Sequence, residues 1–382
     1  MRIAILLLNK GRGSGEVARQ HARHLIDMGH KVYFLHPGIG GGVSGAVNVD
    51  VQLHTDVMPV HEYLPSAGES QKQVARMTYE EAVSYLPDYE EALEEIIREV
   101  DIVIGHHANI TAVATHKVAE NYKKPYVLFL HGTGIEPRHE GLWDDRMWKL
   151  IREAIEKADG VLVTTEYVRD ALVKPLVDVP DDKFLILPCG VDLIDFRPDN
   201  TMGIKEKYDL PETYVICPGA LTRSKGPQNV VEASKRYDEY AATVFIGDGE
   251  LKSDLEKKLE DRGRFLGFVS SEDKARLINA ADLLVAAPEK KEHFGIIYAE
   301  ALAGGTPVVA YEGGGVASIV TPTEGILTER SPETLGGKVN YLLQNSGLRK
   351  QMARSCRSRA EENYSYPVLV KTLSDWLSSF VR

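Results

Sequence analysis

Short apolar runs alternate with amphipathic helical stretches along this chain, and the whole alternation runs through twice. The first set of strand-like runs covers residues Ile3 to Leu8, Lys31 to Leu35, Ile102 to Gly105, Tyr126 to Leu130, Val161 to Thr164 and Phe184 to Leu187. The second begins near Tyr214 and takes in Ala242 to Ile246, Phe265 to Leu266, Leu283 to Ala286, Pro307 to Ala310 and Gly325 to Leu327. Continuous apolar strands separated by helices predict parallel sheets covered on both faces. The expected fold class is therefore α/β, with two similar doubly wound, Rossmann-like domains. A length of 382 residues agrees, since it exceeds what one hydrophobic core usually organises. Between the two sets, Pro188-Cys-Gly-Val-Asp-Leu-Ile-Asp-Phe-Arg-Pro has proline and glycine near its ends and reads as a linker.

Composition narrows the class of partner. The net charge is −11, with most of the acidic excess in the first 188 residues, which argues against nucleic acid or a strongly anionic membrane surface. No apolar run reaches the roughly 20 residues that span a bilayer. The opening Met1-Arg-Ile-Ala-Ile-Leu-Leu-Leu-Asn is too short for a signal peptide and reads as a buried strand. Cys189, Cys217 and Cys356 are far apart and cannot all pair, so a reducing cytoplasm is the expected location. Neither metal-ligand spacing nor an Asp-x-Asp element occurs. No metal and no cofactor are expected. Residues 56 to 100, with Pro59, Pro65 and Pro87, are the least regular; the acidic run from Glu90 reads as a solvated helix face.

Two glutamates, Glu292 and Glu300, flank what reads as a helix start after the buried run Asp282-Leu-Leu-Val-Ala-Ala. The first residues of that helix, Phe294, Gly295 and Ile296, should present unpaired N–H groups, and such a terminus attracts phosphate. Glu300 lies about 7.5 Å down the axis from Gly295 at a rise of roughly 1.5 Å per residue, about where a ribose on a bound diphosphate would sit. Glu292 can reach the other way, toward a sugar carried by that diphosphate. Upstream, Gly219-Ala-Leu-Thr-Arg-Ser-Lys-Gly follows a strand and should open at its carboxyl end, where ligands bind. Its Arg223 and Lys225 suit a diphosphate. Asn9-Lys-Gly-Arg-Gly-Ser-Gly-Glu, with Gly13 and Gly15, lets backbone approach a ligand closely, with plain tight packing as the alternative. His131 follows a buried strand, and His106, His107 and Asn109 follow another; for these last three a ligand role and a packing role stay open.

The segment from Glu292 to Glu300 resembles the Glu-x7-Glu motif of the retaining glycosyltransferases of family 4, which have the GT-B fold. Its flanks, Phe265-Leu-Gly-Phe-Val-Ser-Ser-Glu-Asp before it and Gly305-Thr-Pro-Val-Val-Ala-Tyr-Glu-Gly-Gly-Gly after it, stand in that family's order. The resemblance implies two domains facing a central cleft, with closure about a hinge near residues 188 to 198. Residues 1–190 plus 364–382 are expected to bind the acceptor and residues 191–363 the nucleotide-sugar. It gives Glu292 the donor-sugar hydroxyls, Glu300 the ribose, Lys225 the phosphates, His131 the donor sugar, and Phe268 and Val269 backbone contacts to the base. His293, Phe294, Gly295 and Ile296 complete the expected donor set, with Gly13 and Gly15 close to the phosphates. His107 and Asn109 are expected on the acceptor side. The family arginine before Lys225 is Ala220 here, so Arg223 is expected to reach the same oxygens; Cys189 replaces a usual asparagine, and Ala317-Ser318 stands where the family often has Pro-Glu.

The resemblance implies a retaining, metal-independent hexosyltransferase, with His131, Glu292, Lys225 and Arg223 as its catalytic groups. The donor is a nucleoside-diphosphate sugar with uridine or guanosine as the expected nucleoside, a substrate rather than a cofactor. The acceptor is a hydroxyl on a sugar, polyol or lipid-linked head group, with no nucleic acid and at most peripheral membrane contact. A nucleotide-sugar epimerase and a donor-binding protein without turnover remain as alternatives.

Overall fold

The computed structural model describes residues 1–11, 13–62 and 70–381; Arg12 of the glycine-rich segment and Pro65 of the irregular one lie outside the described residues. The chain forms two compact units, one built from Met1–Pro188 with the chain from Tyr366 onward, the other from Cys189–Ser365.

The first unit contains strands β1 (Arg2–Leu6), β2 (Lys31–His36), β3 (Val47–Asp50), β4 (Val57–Val60), β5 (Ser70–Gln73), β6 (Ile102–His106), β7 (Tyr126–Leu130), β8 (Gly160–Val163) and β9 (Phe184–Ile186). Seven of these form one sheet in the order β3-β2-β1-β6-β7-β8-β9, and β4 and β5 pair apart from it. Every pairing in the seven-stranded sheet is parallel. Ile3, Ala4, Ile5 and Leu6 are all within 1 % of complete burial, as a strand covered by helices on both faces must be. Burying each Ile or Leu side chain of this strand contributes about 1.5–3 kcal/mol, against the entropy of ordering the chain. Chain order reverses between β1 and β6, so the loops after these two strands diverge there.

The chain's last helix, Tyr366–Ser378, belongs to this unit, where it packs against the helix Gly13–Asp27. Tyr366 stacks on His24 with ring centres 5.5 Å apart, and His30 Nε2 lies 2.8 Å from Ser374 Oγ. Gly160 opens β8 beneath it, and a Cβ there would come within 2.4 Å of the Trp376 ring.

The second unit contains β10 (Tyr214–Pro218), β11 (Ala242–Ile246), β12 (Gly263–Phe265), β13 (Leu283–Ala286), β14 (Val308–Tyr311) and β15 (Gly325–Thr328), all parallel, in the order β12-β11-β10-β13-β14-β15. Its reversal falls between β10 and β13. Both loops singled out in the second half of the sequence leave the sheet there, Gly219–Lys225 after β10 and Ala287–Gly295 after β13. Among the described residues no helix is long and apolar enough to cross a membrane.

Candidate active site

In the second unit the two loops at the reversal are fastened to one another. Ser224 O accepts from the N–H groups of Glu289 and Lys290 at 3.0 and 3.2 Å. Gly226 has a left-handed backbone, and a Cβ there would lie 1.8 Å from Ala287 O, so the β10 loop closes onto the end of β13 only with glycine at this point. The closure brings side chains that are 67 residues apart into contact: Lys225 Nζ donates to Glu292 Oε1 at 2.9 Å. Glu292 is held from behind as well, since its carbonyl accepts from Gly315 N at 2.7 Å. Gly314 lies against that carbonyl so closely that a Cβ would fall 2.3 Å from the oxygen. The glycines after β14 thus hold the backbone of Glu292, leaving its carboxylate half-exposed beside Lys225. Arg223 is exposed, and among the described residues its guanidinium has no partner.

The helix that follows runs Ile296–Ala303 with Gly295 as its N-cap at φ 87°. A Cβ on Gly295 would meet the Tyr298 ring at 2.5 Å, so the chain can enter this helix at this angle only as glycine. Among the described residues the N–H groups of Phe294, Gly295 and Ile296 meet no acceptor, at the positive end of the helix dipole. The Phe294 side chain itself is buried, edge-on to Tyr364 at 6.0 Å between ring centres. His293 lies in the turn between Glu292 and Phe294, half-buried and engaged. One turn into the helix, Glu300 is 8 % exposed. Lys274 Nζ sits 2.6 Å from both of its carboxylate oxygens, with the hydrogen bond directed at Oε1. After β12, Phe268 is 84 % exposed and Val269 half-buried, on the loop leading into the helix Ser271–Asn279 that carries Lys274.

In the first unit the loops at the corresponding reversal converge on a cluster of histidines. His106 ends β6 and His131 follows β7; His106 Nδ1 and His131 Nε2 share a proton across 2.9 Å, and His131 stacks on Phe129 at 4.0 Å. Burial pushes the His106 ring down to about 3, so it is neutral near pH 7. His107 has φ 68°, a left-handed conformation that a residue with a Cβ adopts at a cost. Its ring lies 3.0 Å from Ser14 Oγ and 3.2 Å from Thr133 Oγ1, joining the start of the helix Gly13–Asp27 to the loop after β7. His61, neutral because burial lowers it to about 4, packs on His107 with ring centres 4.2 Å apart.

Asn109 is fully buried. Its Oδ1 caps the helix Ile110–Tyr122 by accepting from Thr111 N at 2.7 Å, and its Nδ2 is 3.1 Å from His61 Nε2. Asn109, expected on the acceptor side, serves here as a helix cap and a rest for His61. Gly13 begins its helix and Gly15 packs under the preceding loop, where a Cβ would stand 2.1 Å from Lys10 O. Asn9 steadies the same loop, accepting from Gly11 N at 2.8 Å and donating to Pro59 O at 2.7 Å. Sequence reasoning did not find Lys274, His61, Ser14 or Thr133; each reaches its partner from a distant part of the chain. Among the described residues no group of three or more His, Cys, Asp or Glu side chains is placed to hold a metal ion.

Comparison with known proteins agrees with this arrangement. The family model described as Glycosyltransferase Family 4 matches residues 11–194, and that described as Glycosyl transferases group 1 matches residues 203–359, so between them they take in most of the chain. The chain belongs to the family 4 glycosyltransferases. Among its relatives, N-acetyl-alpha-D-glucosaminyl L-malate synthase of Bacillus anthracis is 26% identical over 390 aligned positions, covering 95% of this chain and 93% of that protein. An uncharacterized glycosyltransferase of Methanocaldococcus jannaschii is 27% identical over 283 positions, covering 67% of this chain and 71% of that one. Some relatives match over less of their own length: a D-inositol 3-phosphate glycosyltransferase of Corynebacterium kroppenstedtii, 28% identical, is covered to 55%, and 60% of this chain takes part. Among solved structures, HepE of Anabaena in complex with UDP superposes with a TM-score of 0.78 at 17% identity, covering 99% of this chain and 100% of that one. The family 4 chain described here therefore has the GT-B class of fold, with its two Rossmann-like domains, and is a hexosyltransferase of family 4 type.

Proposed function

We propose that this family 4 enzyme moves a hexosyl group from a nucleoside-diphosphate sugar to an acceptor hydroxyl, with retention at the anomeric carbon and without a metal. The observation that carries the reading is the meeting of Lys225, Glu292 and a helix N-terminus whose N–H groups have no protein acceptor among the described residues, at the strand-order reversal of the second unit. A diphosphate at that terminus gains the free N–H groups of Phe294 to Ile296 and the cations Lys225 and Arg223. The backbone amides, and Lys225 through its pairing with Glu292, are in place before the reaction, so stabilising the departing diphosphate requires little reorganisation from them. Glu292, held through its backbone, takes the hydroxyls of the hexose; Glu300 takes the ribose; and the loop with Phe268 and Val269 takes the base.

In this reading the glycosidic bond from the anomeric carbon to the β-phosphate oxygen breaks as the bond to the acceptor oxygen forms on the same face. The acceptor's proton passes to a phosphate oxygen, so no protein base is required. The first unit is read as the acceptor-binding unit, and its His131 as the group for a hydroxyl of the donor sugar. His107, whose ring nitrogens face Ser14 and Thr133, sets the loops on either side of it. The resemblance to a synthase named for N-acetylglucosamine and malate, and to a structure crystallised with UDP, supports a nucleotide-sugar donor and a hydroxyl acceptor. The acceptor is read as a sugar, polyol or lipid-linked head group.

The test is a thermal-shift screen of UDP- and GDP-sugars, followed by turnover of the stabilising donor against an acceptor panel in EDTA, with the product's anomeric configuration read by proton NMR. Retained configuration and undiminished turnover in EDTA are expected. An inverted product, turnover abolished by EDTA, or a new sugar-nucleotide formed without acceptor would each overturn the corresponding part of the reading.

A further inference from the structure

The ion pair between Lys274 and Glu300 is a strong polar contact at the candidate donor site that nothing in the motif pattern requires. Glu300 is more than nine-tenths buried, and its Oε2, though close to the ammonium, makes no hydrogen bond of its own. The ammonium's charge balances that buried oxygen, so the pair holds the carboxylate in one orientation. Lys274 is placed to determine where that oxygen points. It stands in the first turn of the helix Ser271–Asn279, which is fixed by Ser270 Oγ accepting from Asp273 N at 3.0 Å. Its neighbour Asp273 is already occupied by Lys207 at 2.6 Å and the Tyr208 hydroxyl at 2.8 Å, so the Lys274 ammonium is left to Glu300 alone. The same helix begins directly after the loop holding Phe268 and Val269. Lys274 thus lies along the chain between the loop read as the base site and the carboxylate read as the ribose site.

We propose that Lys274 is a specificity-determining residue for the ribose of the donor. Held against both oxygens of Glu300, it fixes the carboxylate to accept from one hydroxyl of a vicinal diol, while a remaining N–H of the part-exposed ammonium donates to the other hydroxyl oxygen. The site then reads the pair of ribose hydroxyls as a unit and selects ribonucleotide over deoxynucleotide donors. This inference rests on the donor site proposed above and adds the partner of Glu300 to it.

Calorimetric titration with UDP and GDP, and with their 2′,3′-dideoxy analogues, tests it without reference to turnover. Wild-type protein is expected to bind the ribonucleotide at least about tenfold more tightly than the dideoxy form, the size of one or two charge-assisted hydrogen bonds. Lys274→Met should weaken the ribonucleotide about tenfold and leave the dideoxy form within about twofold, and Lys274→Arg should recover most of the loss. In turnover the loss should fall on the donor KM more than on kcat, a split that a merely structural ion pair would not give. Should Lys274→Met fail to fold, Lys274→Gln carries the same comparison. Equal weakening of both ligands, or none of either, overturns the role of Lys274 while leaving the donor site standing. Wild-type protein that binds no nucleoside diphosphate overturns the donor site and this inference together.

Discussion

Replacing Lys225 by alanine separates catalysis from stability more cleanly than any other single change. The ammonium donates to Glu292 Oε1 at 2.9 Å, and the two side chains are 49% and 21% exposed. An ion pair so open to solvent contributes at most about 1 kcal/mol, because water and salt screen it. In a unit of this size that is worth roughly 2–4 °C in melting temperature. Its value toward a leaving diphosphate is of a different order. Removing one preorganised donor from a developing oxyanion costs about 100- to 1,000-fold in kcat, or roughly 2.7–4 kcal/mol. Lys225→Ala should therefore melt within about 4 °C of wild type while turnover falls by about two to three orders of magnitude. Lys225→Arg, which keeps the charge but spreads it over a planar fork, should recover only part of the rate. The assay is steady-state release of nucleoside diphosphate at saturating donor, with calorimetry on the same preparations. Turnover within threefold of wild type in Lys225→Ala, roughly 0.6 kcal/mol in barrier, would refute the assignment of this cation to the departing phosphate.

Three further outcomes follow from the geometry. Gly295→Ala places a Cβ 2.5 Å from the Tyr298 ring at φ 87°, so it should lower the melting temperature, by strain of about 1–3 kcal/mol, and abolish diphosphate binding by calorimetry. Gly160→Val should dislodge the final helix through the contact at 2.4 Å with Trp376, seen as a lower melting temperature and early proteolytic loss of the carboxyl-terminal segment. Burial lowers the pKa values of His21, His61 and His106 from 6.5 to about 3, 4 and 3, so in this range the folded state binds fewer protons than the unfolded state. Their contribution to stability is complete above about pH 6.5 and is lost as the pH falls toward those values, and His106→Gln should flatten the melting-temperature profile between about pH 5 and 6.5.

The sheets were legible because buried parallel strands leave near-continuous apolar runs, and Ile3 to Leu6 or Leu283 to Ala286 admit few other readings. Glu292, Gly295 and Glu300 were legible for a related reason, since they lie within nine residues of one another, where chain order and space nearly coincide. Lys225 was found because it follows a strand, but its contact with Glu292 depends on strand order, which places β10 beside β13. Lys274 shows where such reasoning stops. A lysine in the first turn of an amphipathic helix reads as a solvated charge, and only the packing of that helix against Ile296–Ala303 brings its ammonium onto a buried carboxylate. Asn109 shows the reverse. A polar residue just past a strand resembles a ligand-binding group, and its position before Ile110–Tyr122 also makes it a helix cap, a role that asparagine fills equally well.

A crystal of the protein soaked with its preferred nucleoside diphosphate measures the main proposition directly. The β-phosphate should lie about 3 Å from the Gly295 and Ile296 amide nitrogens, beside Lys225, with the ribose hydroxyls on Glu300. A diphosphate bound elsewhere on the chain, or one at this helix end with its ribose turned away from Glu300, would contradict it.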